Sequence, residues 1–360
     1  MNITIVGAGN IGTQFAVHCA EKYNNVIVYG SQPKKVSNDL FVVDENGNVI
    51  HTGKIDCATD NEEKAFQNAE LIFVTMPAFC MKDIAEKIYP FANKNMKICI
   101  VPGTGGGECS FKKCVEKGAT VFGLQRVPSV ARLKEYGKTV CATGYREELF
   151  VAAIPKSETE NCCKIIGDIF DGMKCSPMPA YLNLTLTPSN PILHTTRLRV
   201  LFKDYKPGKV YKSIPLFYED WTDETSELIF KCDDEVQAIC KALDMFDLSF
   251  VKSLRTHYES YTCEAFTNKI RGIKGFKGIT SPSVSADGGL VPDMNSRYFT
   301  ADFPFGLSIL IQISDLLGLD AENMKATMQW YKNLSGEITE FSFANYGINN
   351  LEEFIRFYQR

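Results

Sequence analysis

The sequence predicts an α/β Rossmann domain with a doubly wound parallel sheet, followed by an all-α C-terminal domain. Three observations lead there. The first residues run strand, glycine turn and helix without a break, from Met1–Val6 through Gly7-Ala8-Gly9-Asn10-Ile11-Gly12 to about Tyr23. Short apolar runs then alternate with helical stretches as far as about residue 125, the pattern of βαβ units. From about Tyr181 the strand pattern stops and helices with longer connections take over. A length of 360 residues suits two domains, placed at 1–180 and 181–360.

The elements follow in order. Asn25–Tyr29 reads as the second strand, and Leu40–Ile50 as a hairpin inserted around the turn at Asn46-Gly47. Asp60 is placed to cap a short helix, with Glu63 three residues on. Leu71–Thr75 is the third parallel strand, ending at Met76-Pro77. Lys97–Val101 is the fourth, ending at Pro102-Gly103, and Ala119–Gly123 is the fifth. In such sheets ligands bind outside the carboxyl ends of the strands, so Gly7, Pro77 and Gly103 are expected along one crevice. The helical half reads as Thr225–Leu243, Phe250–Ile270 with a break, Phe303–Leu317, Asp320–Leu334 and Asn350–Tyr358.

Each glycine of the first turn has its own steric task. Gly7 permits the tight turn, Gly9 lets backbone approach a pyrophosphate, and Gly12 lets helix and strand pack closely, with Asn10 and Ile11 opening the helix. The open helix N-terminus favours phosphate through unpaired N–H groups and the dipole. A dinucleotide is therefore the expected cofactor. NAD-dependent enzymes usually place Asp or Glu directly after the second strand; here Gly30-Ser31-Gln32-Pro33-Lys34-Lys35 follows, with no acid until Asp39. A hydroxyl and two ammonium groups suit the 2′-phosphate, so Ser31, Lys34 and Lys35 point to NADP, with NAD as the alternative. The same lysines also fit a solvated turn.

Composition bounds the partners. With 45% apolar and 23% charged residues and a net charge of −4, the chain resembles a soluble globular protein and gives no electrostatic reason to bind nucleic acid or an anionic membrane. No export signal or spanning apolar run is read, so a cytoplasmic location is expected. A homodimer is left open. The thirteen cysteines are odd in number and scattered, and four histidines accompany them. They read as reduced thiols with no structural metal.

Chemistry requires polar groups from the second half. His194 lies in Asn190-Pro191-Ile192-Leu193-His194, and Arg297 and Asp302 lie in Ser296-Arg297-Tyr298-Phe299-Thr300-Ala301-Asp302-Phe303-Pro304. Histidine carries protons near neutral pH, a carboxylate can orient it, and arginine binds carboxylates bidentately. Plainer readings stand beside these: His194 as a core histidine, Asp302 as the N-cap of the helix at Phe303, and Arg297 paired with a surface acid. His18 and His51 read as structural or exposed, and His257 is the rival proton carrier.

The glycine turn, then Val127-Pro128-Ser129-Val130-Ala131-Arg132, then Asn190-Pro191 with His194, then Ser296 to Leu307, occur in the order found in the octopine/nopaline (opine) dehydrogenase family, which the chain resembles over nearly its whole length. That resemblance implies a Rossmann domain followed by a helical one, and NAD(P)H-dependent reductive condensation of an amino acid with a 2-oxo acid such as pyruvate. By position it implies His194 as acid–base residue, Asp302 as its partner and Arg297 as carboxylate anchor. Ala301 stands where members often have Glu, and Ala131 where some have Cys. Gln125, not an acid, precedes Val127-Pro128, which weighs against arginine as substrate. Two rival functions remain. Reductases of the ketopantoate or glycerol-3-phosphate type typically use an interdomain lysine, yet none occurs between Lys174 and Lys203. A non-catalytic NADP sensor would have no need of the His/Arg/Asp set.

Overall fold

The computed structural model describes residues 1–336 and 338–360, which fall into two compact units. The first comprises Met1–Thr185 with Glu352–Arg360, and the second Leu186–Leu351.

In the first unit, strands β1 (Asn2–Val6), β2 (Asn25–Tyr29), β3 (Asp39–Val43), β4 (Val49–Lys54), β5 (Cys57–Thr59), β6 (Leu71–Val74), β7 (Lys97–Ile100), β8 (Thr120–Leu124), β9 (Val130–Glu135), β10 (Thr139–Thr143), β11 (Glu148–Ile154) and β12 (Lys174–Pro177) form two sheets. The larger has the order β12-β11-β8-β7-β6-β1-β2-β5, with β11 antiparallel to β8 and the rest of its pairs parallel. Strands β6 and β8 are buried along their whole length, as strands covered on both faces must be. Helix α1 (Asn10–Lys22) follows the glycine turn and buries Phe15, Ala16, Val17 and Cys19.

The hairpin read at Leu40–Ile50 is β3 and β4, turning through Asp44–Asn48 with Gly47 at φ +86°. It belongs to a second sheet of order β4-β3-β10-β9, whose other two strands were not read from the sequence. Gly53 of β4 shows how closely this sheet covers α1: a Cβ there would lie 2.7 Å from the Val17 carbonyl oxygen. The short helix Glu62–Phe66 is capped by Asn61 and not by the expected Asp60, because the Asn61 carboxamide is the group that accepts from the Lys64 N–H, at 2.8 Å.

The C-terminal segment was placed in the second domain from sequence, but residues 352–360 belong to the first unit. The reason is a buried anchor. Tyr358 Oη donates to Glu108 Oε1 at 2.7 Å, which also accepts from Thr185 Oγ1 at 2.5 Å. Burial pushes the Glu108 carboxyl above its ordinary range.

The second unit is helical, with α2 (Ser189–Leu201), α3 (Asp223–Ala242), α4 (Cys263–Gly272), α5 (Ser308–Leu316) and α6 (Glu322–Ser335). A two-stranded ribbon, Ser283–Ala286 with Gly289–Pro292, interrupts it. The break expected within Phe250–Ile270 separates Leu254–His257 from α4, which Thr262 caps. Among the described residues no helix is long and apolar enough to cross a membrane, and all thirteen cysteines are free thiols.

Candidate active site

The glycine turn has the geometry its spacing implies. Gly7 adopts φ +103°, and a Cβ on Gly12 would fall 1.9 Å from the Gly7 carbonyl oxygen, so α1 presses on the turn at a distance only glycine allows. Beside Gly9 there is open space, and Gly9 caps α1 without a side-chain bond, which leaves the first N–H groups facing outward. Thr75 donates to the Val6 carbonyl at 2.9 Å, bringing the ends of β1 and β6 together ahead of Pro77. The other predicted residues divide. The Asn10 carboxamide oxygen is taken by the Leu133 N–H at 2.7 Å, and Ile11 packs against the core. Gly103 is buried, with room for no Cβ between Gly123 and Leu184. Ser31, Lys34 and Lys35 are exposed just past β2, the lysines in a single 3-10 turn opened by Pro33.

In the second unit, the structure brings His194 and Asp302 together. His194 lies on α2, a helix that the local sequence with its Pro188 and Pro191 had not suggested. Asp302 does precede a helical turn, but that turn is π-type, Phe303–Leu307, and its first N–H groups receive nothing from the Asp302 side chain. The carboxylate instead meets His194, Oδ2 to Nδ1 at 2.8 Å, with both side chains less than a fifth exposed. Here the wide turn decides the geometry. The Leu307 N–H reaches back to the Asp302 carbonyl, and Gly306 seats on Pro191, where a Cβ would come within 3.0 Å. The π-turn and α2 are thus held flush, with the acid against the imidazole.

The other ring nitrogen finds a partner that sequence reasoning missed. Tyr218 Oη lies 2.9 Å from His194 Nε2. Burial pushes the Tyr218 phenol well above its ordinary value, so at neutral pH it remains a donor. The neutral ring then has Nδ1–H donating to Asp302 and Nε2 accepting from Tyr218. Arg197, one turn beyond His194 on α2, locks this arrangement: its buried guanidinium donates to the carbonyls of Leu216, Phe217 and Asp220, clamping the loop that carries Tyr218. Phe276 stacks on Tyr218 with ring centroids 4.1 Å apart, and Tyr298 covers His194 at 4.6 Å. The only local signal for Tyr218 was an aromatic cluster, Phe217-Tyr218 with Trp221, which reads equally as core.

Arg297 opens the short helix Arg297–Thr300 beside Tyr298, and its side chain is exposed. The rival His257 is exposed on another short helix, edge-on to Tyr258.

The chain is similar to known proteins over most of its length. Residues 177–335 match a family described as NAD/NADP octopine/nopaline dehydrogenase, alpha-helical domain. Residues 2–117 match the NAD-dependent glycerol-3-phosphate dehydrogenase N-terminus. Tauropine dehydrogenase of Arabella iricolor is 26% identical over 298 residues, covering 78% of this chain and 74% of that protein. A solved structure of octopine dehydrogenase with NADH and L-arginine superimposes with a TM-score of 0.88 at 20% identity, covering 98% of this chain and 97% of the other. One with NADH and pyruvate gives 0.86 at 20% identity, covering 99% and 98%. Residues 177–335 thus belong to the helical domain of the octopine/nopaline (opine) dehydrogenase family, and the chain is an NAD(P)-dependent oxidoreductase acting on CH–NH bonds.

Proposed function

We propose that this protein is an NADP-dependent opine dehydrogenase that condenses the amine of an amino acid with a 2-oxo acid such as pyruvate, and catalyses the reverse oxidation. One observation carries the reading: the hydrogen-bonded line Asp302–His194–Tyr218, which a binding protein would have no need to build. The relatives solved with L-arginine and with pyruvate support the substrate classes.

The first unit fits a dinucleotide, since Gly7 and Gly12 close the strand-to-helix turn and Gly9 leaves open space beside the backbone where a pyrophosphate can approach. Ser31, Lys34 and Lys35 would hold a 2′-phosphate, and no carboxylate follows β2 to repel it. When bound, NADPH supplies the hydride that reduces the imine carbon. The rest falls to the protein. His194 Nε2 takes a proton from the substrate ammonium, freeing the amine lone pair, and returns it to the carbinolamine oxygen that leaves as water. Asp302 holds Nδ1 protonated and stabilises the imidazolium that forms between these transfers. Tyr218 keeps the ring in register until substrate displaces its hydroxyl. Arg297, exposed and unpaired with any carboxylate among the described residues, anchors the 2-oxo acid carboxylate. The free thiols accord with a cytoplasmic setting.

The test is a matrix of amino acids against 2-oxo acids, read by NADPH consumption and product mass. One productive pair whose product mass equals amino acid plus oxo acid minus water plus two hydrogens supports the reading. Reduction of an oxo acid without amine overturns it. Titration should show NADPH bound about tenfold or more tighter than NADH, from one charge-assisted phosphate contact of ~1.5 kcal/mol. Equal affinities exclude the NADP preference.

A further inference from the structure

The histidines that the catalytic reading leaves aside converge in the first unit. On α1, His18 and Glu21 are one turn apart, and β4 brings His51 alongside them. Glu21 Oε2 lies 3.0 Å from His51 Nδ1 and 3.8 Å from His18 Nδ1. One ligand atom from each of the three residues lies within 4.8 Å of the others. We propose that His18, Glu21 and His51 form a binding site for a divalent transition-metal ion of the zinc class, distinct from the dinucleotide and substrate sites.

The donor set is the one such an ion selects. Two imidazoles and a carboxylate are borderline ligands, and three protein ligands with an open fourth position form a recurrent zinc arrangement. Tetrahedral bonds of ~2.0–2.1 Å place ligand atoms roughly 3.4 Å apart. The observed separations of 3.0 and 3.8 Å bracket that value, so seating an ion takes only side-chain adjustments.

Surrounding bonds aim these ligands. The Thr52 N–H donates to Glu21 Oε1 at 3.0 Å, leaving Oε2 turned toward the histidines. Tyr145 Oη lies 3.1 Å from His18 Nε2, so His18 presents its Nδ1 to the cluster. Support of this kind on the outer atoms of ligands is characteristic of metal sites. The scaffold is stiff as well, because Gly53 brings β4 into backbone contact with α1 at Val17. The fourth position faces a cavity of about 440 Å³, walled by Tyr145, Phe170 and Met173 and open to water. Of the cations at its rim, Lys22 is paired with Asp171 at 3.3 Å, and Arg146 donates to the Val127 carbonyl.

The site is remote from the phosphate-binding turn. Glu21 is eleven residues along α1 from Asn10, about 17 Å at 1.5 Å per residue. The ion would fasten the β3–β4 hairpin to α1, and its effect is on stability and not on hydride transfer.

The test uses full-length protein stripped with EDTA and then equilibrated with Zn²⁺ or Co²⁺. We expect one Zn²⁺ per chain by elemental analysis, a Zn²⁺-dependent rise in Tm, and visible Co²⁺ bands of a nitrogen/oxygen site without a thiolate-to-cobalt band. His51→Ala and Glu21→Gln should each weaken Zn²⁺ binding by at least about tenfold, while NADPH binding confirms that the variants fold. Absence of stoichiometric Zn²⁺, affinity unchanged in both variants, or a thiolate band from the cysteines overturns the proposal. The Co²⁺ spectrum of the unmutated chain decides the matter even if a variant fails to fold.

Discussion

Replacing Asp302 by Asn separates an acid–base partner from a helix cap. The substitution keeps shape, and Asn caps helices about as well as Asp. The Asp302 side chain caps nothing here, since the π-turn closes through its main-chain carbonyl to the Leu307 N–H. The fold should therefore persist, and the Asn oxygen can still accept from His194 Nδ1. What is lost is the negative charge 2.8 Å from a ring that carries a positive one in the proposed mechanism, between two side chains 11% and 18% exposed. A hydrogen bond to a charged group is worth about 1.5–3 kcal/mol, and each ~1.4 kcal/mol on a barrier is tenfold. Asp302→Asn should thus lower kcat by about 10- to 100-fold, with NADPH affinity and Tm nearly unchanged. Steady-state kinetics across pH, NADPH titration and thermal melts read the three quantities. A variant within twofold of the parent and with the same pH profile refutes the dyad.

Further outcomes follow from the same geometry. His194→Ala should reduce kcat by roughly 10²–10⁴ while binding NADPH normally, whereas His257→Ala should turn over like the parent; the reverse pattern would show the wrong histidine was chosen. Arg297→Lys should raise the KM for the 2-oxo acid although charge is kept, because an ammonium lacks the planar fork; an unchanged KM removes Arg297 from substrate binding. Asp233 tests stability. It is wholly buried, accepts from the Leu254 N–H at 2.8 Å, and burial pushes its carboxyl up to about 6 from an ordinary 3.8. The folded state holds this proton more tightly than the unfolded one, so its contribution is full below about pH 4 and lost as pH rises through 6. The shift is worth about 3 kcal/mol at ~1.36 per unit. Asp233→Asn should raise Tm at pH 7.5 and flatten the dependence between pH 4 and 6. Unaltered melting curves would show that Asp233 ionises in the fold without cost.

The sequence by itself determined what depends on neighbouring residues. Gly7, Gly9 and Gly12 are spaced for one strand-to-helix turn, and the structure shows the close approach that forbids a Cβ at Gly12. The parallel strands were legible because both-face burial leaves uninterrupted apolar runs, and the long helices because their apolar residues recur with helical period. Local signals failed where a competing local reading existed. Asn61 took the cap from Asp60, and the prolines around His194 concealed α2. Tertiary structure alone decided which side chains meet. His194 and Asp302 are 108 residues apart, and whether Asp302 capped a helix or held an imidazole depended on a π-turn seated against Pro191 through Gly306. Tyr218 reached the ring because the Arg197 guanidinium holds its loop by donating to three of the loop's carbonyls. His51 reached Glu21, 30 residues away, because Gly53 let a hairpin lie flush on α1. Each convergence is set by packing between elements distant in the chain, a quantity that no spacing within a single element encodes.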